Sequence, residues 1–144
     1  MIGKLKNPII NCGGRILTIT REHIARYLIE VKTAISANRY QIEINENRTA
    51  NMELFLDYII DESDVRQILL GLEVTDFSKT VQNRKPGMEH EQLYIFGKDV
   101  VLLEKFGEDK KKVSLYIKFN KLDNQYVIVI SFHEQRYPMK YYFK

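Results

Sequence analysis

Two neighbouring segments carry four side chains that could do acid–base chemistry on a phosphate. They are VSLYIKF (113–119) and YVIVISFHE (126–134), and both alternate apolar and polar residues in the manner of strands. Successive side chains of a strand point to opposite faces, so Val113, Leu115, Ile117 and Phe119 share one side while Ser114, Tyr116 and Lys118 take the other. The same reading puts Tyr126, Ile128, Ile130 and Phe132 on the core side, with Val127, Val129, Ser131 and His133 opposite. If both apolar sets pack on the same helices, Tyr116, Lys118, Ser131 and His133 gather on the open side of one sheet.

A phenol, an ammonium, a hydroxyl and an imidazole in one place suit phosphodiester chemistry. Imidazole ordinarily titrates near pH 6.5, so it exchanges protons in either direction around neutrality. It could deprotonate a ribose 2′-hydroxyl or protonate the 5′-oxygen expelled when that hydroxyl attacks the adjacent phosphate. Lysines would stabilise the charge that builds on phosphorus. This chemistry calls for no metal and no cofactor. Each residue also has a plainer reading. A histidine at a strand end is commonly a surface residue, Tyr116 an ordinary strand former, and Lys118 an edge charge that discourages sheet-to-sheet pairing. Lys110 to Lys112 read as a solvated turn.

Other constellations are weak. His23, His90 and His133 are too scattered for a metal-binding spacing, and the EHE triplet at 89–91 is only a weak ligand set. No glycine-rich phosphate loop or nucleophile elbow is found. Cys12, the single cysteine, excludes an internal disulfide and lacks an identifiable partner base.

The elements that must position these residues divide the chain in two. Thr18 or Thr20 can cap a helix on which Ile24, Leu28, Val31 and Ile35 form one stripe, ending near SANRY. YQIEINENR reads as a short strand or extended connector, and ANMELFLDYI as a short helix or a strand. DESDVRQILLGL predicts a second clear helix, capped by Asp61 or Ser63, with Val65, Ile68, Leu69 and Leu72 on one face. After this the period becomes two. FSKTV is a short strand that places Lys79 with Phe77 and Val81. QNRKPGMEHEQ is a polar loop, and LYIFG and VVLLEKF are strands separated by Gly97-Lys98-Asp99. Helices first and strands afterwards predict an α+β fold, an antiparallel sheet with its helices on one face.

At 144 residues and 44% hydrophobic, the chain suits one domain, 1–144, with 1–17 as an N-terminal extension and 135–144 as a tail. The tail, QRYPMKYYFK, could fold over the open face and contact bases or seal a hydrophobic edge. The N-terminus lacks the apolar core of a signal peptide, and no run approaches the roughly 20 apolar residues of a membrane span. A cytoplasmic protein with no membrane partner is expected. The net charge of +3 is unevenly spread: residues 77–144 hold 13 Lys/Arg against 8 Asp/Glu and 12 of the 16 Phe and Tyr. Cations attract phosphate and aromatic rings stack bases, so RNA would bind this half.

Several motifs in order resemble the MqsR group of bacterial toxin–antitoxin toxins, within the RelE-like class of small mRNA-cleaving proteins. ILLGLEVTDFSKT is similar to that family's helix ending in Gly-Leu followed by Asp-Phe-X-Lys, LYIKF to its Tyr-X-Lys strand, and VIVISFHE to its final strand ending in Ser-Phe. The resemblance covers about residues 60–134 and implies a RelE-like fold, metal-independent cleavage of mRNA, and neutralisation by a cognate antitoxin protein. Its catalytic positions fall on Lys79, Tyr116 and His133, the last in place of a family lysine. Lys118, Ser131, Arg84 and Gln92 are the candidate substrate contacts, with Glu91 one register from Gln92. The alternative is a catalytically inactive RelE-like module that binds RNA or protein through the same face. A third reading, an interaction domain with no nucleic-acid role, would show no salt-dependent affinity for RNA.

Overall fold

In the computed structural model, the described residues are 9–10, 16–44, 48–107 and 109–144. Cys12 and most of the N-terminal extension lie outside them. Two short strands, β1 (Ile9–Ile10) and β2 (Ile16–Leu17), pair antiparallel. Helix α1 (Arg21–Ser36) follows, with Thr20 at its N-cap accepting from the His23 N–H. Its stripe of Ile24, Leu28, Val31 and Ile35 is buried, joined by Tyr27 and Ala34. Each of the four aliphatic side chains of the stripe contributes about 1.5–3 kcal/mol on leaving water. The helix stops where Asn38 enters the left-handed region at φ 59°, and the Arg39 N–H reaches back to the Ala34 carbonyl. Asparagine tolerates that conformation, and it turns the chain into strand β3 (Tyr40–Ile42).

Helix α2 (Thr49–Asp57) and the two-residue strand β4 (Tyr58–Ile59) occupy the segment whose period was ambiguous. Helix α3 (Glu62–Leu70) opens on a reciprocal cap in which Asp61 accepts from the Asp64 N–H and Asp64 from the Asp61 N–H. A 3-10 turn (Val74–Asp76) leads to β5 (Phe77–Gln82), β6 (Gln92–Glu104), β7 (Lys110–Lys121) and β8 (Val127–Glu134).

The sheet runs in the order β3-β8-β7-β6, and β6 is long enough to hold β5 against its first half and β4 against its end. All pairs are antiparallel except β3 with β8. One face packs on the helices around Phe77, Phe96, Leu115, Ile117, Phe119 and Phe132. Among the described residues the architecture is α+β: three helices against an antiparallel-dominated sheet. Among the described residues no helix is long and apolar enough to cross a membrane.

Four expectations need correction. Lys110 to Lys112, expected in a turn, open β7 and pair with Leu103, Leu102 and Val101 of β6. LYIFG and VVLLEKF are one strand, and Gly97 sits in its middle because another segment crosses directly over it, as described below. In β5 a register shift between Phe77 and Lys79 separates the two: Phe77 goes to the core and Lys79, opposite Ile95, to the open face. The same device appears in β8. Phe119 pairs with Val129 but Lys118 with Ser131, so Ile130 is the extra residue of a bulge. Val127 and Val129 therefore face the core, where Tyr126 and Ile128 were expected, and beyond the bulge the parity is the anticipated one. Phe132 is buried on the helix side, and Ser131 and His133 turn to the open face.

Candidate functional site

Two adjacent rows of the sheet form the floor of the site. Lys79, Ile95, Lys118 and Ser131 are successive partners across β5, β6, β7 and β8. One step along the strands, Gly97, Tyr116 and His133 make the next row. Side chains two apart share a face, so the sheet itself brings Lys79, Lys118, Ser131, Tyr116 and His133 together. They line one groove of about 1070 Å³, which also takes in Gln92. Arg84 is exposed in the loop after β5 and does not line it. Glu91 is engaged elsewhere, accepting from the side-chain amides of Asn83 and Asn120.

The local sequence explains how each group is held. In the Asp-Phe-X-Lys stretch, buried Asp76 accepts from the Glu73 N–H at 2.8 Å and pairs with Lys98 at 3.1 Å, which anchors the turn. Phe77 is fully buried, and Ser78, the bulged residue, donates its hydroxyl to the Lys140 carbonyl at 2.6 Å. Lys79 then emerges on the groove side. In β8 the bulge is gripped by Asn51 of α2, only 1% exposed. Its amide donates to the carbonyls of Glu43 (2.7 Å) and Ile130 (3.0 Å) and accepts from the Phe132 N–H (2.8 Å). Asn51 thus satisfies backbone groups that β3 leaves unpaired where it ends.

Tyr116 and His133 stack nearly parallel, ring centroids 5.0 Å apart and planes 8° from each other. His133 Nδ1 lies 2.9 Å from the Glu134 carbonyl. A carbonyl oxygen only accepts, so Nδ1 carries the proton of the neutral ring and Nε2 keeps the lone pair. Burial lowers the His133 pKa, the carbonyl bond opposes this, and the nearby cations Arg136, Lys118 and Arg48 lower it further. Lys118 is shifted down by burial and by Arg48, against the pull of Glu43. Burial raises the Tyr116 phenol, with Arg48 acting the other way.

Sequence reasoning missed Arg48 and Arg136, both of which line the groove along with Lys140. Arg48 is the N-cap residue of α2, with no strand parity to reveal it; the packing of α2 on β8 brings it there. It pairs with Glu43 at 3.4 Å. Arg136 was visible only as one of the tail's basic residues. Five Lys/Arg side chains and one histidine thus face the groove, and no carboxylate is among the described residues lining it. That donor set suits an anion and offers a metal ion little. Among the described residues no group of three His, Cys, Asp or Glu could hold a metal.

Comparison with protein-family models, with curated proteins and with solved structures finds no match. The likeness to MqsR-type toxins therefore stands on the quoted motifs.

Proposed function

We propose that the groove cleaves RNA by attack of a ribose 2′-hydroxyl on the adjacent phosphate. The observation that carries this reading is the stacked Tyr116–His133 pair in a groove whose described lining holds five Lys/Arg side chains and no carboxylate. His133 Nε2 takes the 2′-hydroxyl proton. The O2′–P bond forms and the P–O5′ bond breaks, leaving a 2′,3′-cyclic phosphate and a 5′-hydroxyl. Lys118, made more acidic by burial, protonates the departing 5′-oxygen, and Lys79, Arg48 and Arg136 balance the charge on phosphorus. Tyr116 holds the imidazole plane. Ser131 and Gln92 are substrate hydrogen-bond partners. The chemistry needs no metal.

On this reading the chain is an endoribonuclease toxin of RelE-like arrangement that acts on mRNA in the cytoplasm and is held in check by a cognate antitoxin. The quoted motif likenesses support this larger role. The test is incubation of the purified protein with an mRNA transcript in EDTA. Discrete cuts ending in 2′,3′-cyclic phosphate that disappear in His133→Ala and Lys79→Ala are expected. Intact RNA in a folded preparation, with binding retained, would favour the inactive RNA-binding module.

A further inference from the structure

The ten residues after β8 do not trail away. Gln135 continues the ladder, its N–H donating to the Ser114 carbonyl at 2.8 Å and its side-chain amide to the Leu115 carbonyl at 2.9 Å. The chain then crosses the open face to β5, where the Lys140 carbonyl accepts from Ser78 and the Tyr142 N–H donates to the Phe77 carbonyl at 3.0 Å. It passes over Gly97 so closely that a Cβ there would lie 2.6 Å from Met139 Sδ and also collide with the Tyr141 hydroxyl. Tyr142 plugs the core edge beside Phe77. The result is a strap fastened at both ends.

The strap divides the open face. On one side lies the cationic groove; on the other is a second hollow of about 510 Å³ reaching Asp99, Lys112 and Ser114. Tyr137 lines both, and its side chain is among the most exposed large apolar groups described, 82% accessible. Pro138 restricts the backbone of Tyr137 to extended conformations. An aromatic ring held out to solvent between two hollows, beside Arg136 and on a segment anchored at Gln135 and at Lys140 and Tyr142, has the form of a stacking platform.

We propose that Tyr137 stacks a base of single-stranded RNA, so that the strand passes over the strap from the cationic groove into the second hollow. This rests on the groove being an RNA site and adds where the flanking nucleotide goes. Paired bases cannot offer a face to the ring, so single strands are favoured over duplex.

The experiment measures binding by fluorescence anisotropy to a short 2′-O-methyl oligoribonucleotide, which lacks the attacking hydroxyl. Tyr137→Ala, at an exposed position that leaves folding intact, should weaken binding about 5- to 150-fold, the range for loss of one base–aromatic stack. Tyr137→Phe should bind like the parent, and an abasic oligomer should bind the parent and Tyr137→Ala equally. Equal affinity of the parent and Tyr137→Ala for the base-bearing oligomer overturns the inference, as does failure of the parent to bind. Transcript cleavage is scored separately. A protein that cuts RNA but ignores Tyr137→Ala refutes the stacking role alone, and one that shows the stacking effect but cuts nothing refutes the cleavage alone.

Discussion

The side-chain oxygen of Asn51 accepts a 2.8 Å hydrogen bond from the backbone N–H of Phe132, while its amide nitrogen donates to Ile130 two residues earlier. A helix side chain thereby brackets Ser131 and fixes the one-residue bulge that aims Ser131 and His133 into the groove. Asn51→Ala would leave the Phe132 N–H and the carbonyls of Ile130 and Glu43 without this partner. The expected cost is roughly 2–4 kcal/mol, since a buried polar group left unsatisfied costs about 1–3 kcal/mol, and urea unfolding measures it. If His133 is the base, cleavage should fall as well, because the bulge orients its imidazole.

The bulge also predicts an inverted sensitivity in the first half of β8. Val129 is fully buried against the helices, whereas Ile128 is only half-buried. Val129→Thr should destabilise by about 1–3 kcal/mol through an unsatisfied hydroxyl. Ile128→Thr should cost less. Equal effects in thermal melts would contradict the bulge.

The His133 imidazole should titrate below its ordinary value of 6.5, because burial and the surrounding cations disfavour its charged form. Its NMR midpoint should rise in Arg136→Gln, since removing a cation removes a penalty on the imidazolium. If His133 is the base, cleavage is lost as pH falls through that midpoint, and the acid limb of the rate profile moves up with it in the variant.

Lys79 and Lys118 should contact phosphate. Each Lys→Ala change should then lower the slope of log affinity against log salt by about 0.7, the value for one contact to a single strand. Lys105→Ala, outside the groove, should leave the slope unchanged. A slope indifferent to both groove lysines would remove RNA from the site.

Gly97→Ala should cost about 1–3 kcal/mol, in line with overpacking at a filled position, because the new methyl meets Met139 and Tyr141 of the strap. Tyr141→Phe with Met139→Ala should recover part of that loss in a double-mutant cycle on chemical unfolding. Additive losses would mean that the strap does not rest on Gly97.

Much of the fold was legible in one dimension because period and capping are local. The α1 stripe, the Asp61 cap and the alternation of β7 follow from residue spacing and short hydrogen bonds within a few positions. The continuity of β6 was hidden because Gly97 carries the usual mark of a turn, and its real reason, a strap arriving from residues 139–141, lies more than forty positions away.

By itself, then, the sequence determined two strands able to carry Tyr116, Lys118, Ser131 and His133, and a C-terminal half rich in cations and rings. Tertiary structure alone decided that Lys79 turns to the same face as those residues and that the first half of the last strand is inverted relative to its end. Side-chain parity survives only until one extra residue enters a strand, and the two bulges, at Ser78 and at Ile130, exist because Lys140 and Asn51 hold them from distant segments. Arg48 and Arg136 joined the groove for the same reason: nothing within a few residues of either dictates its place, and packing does.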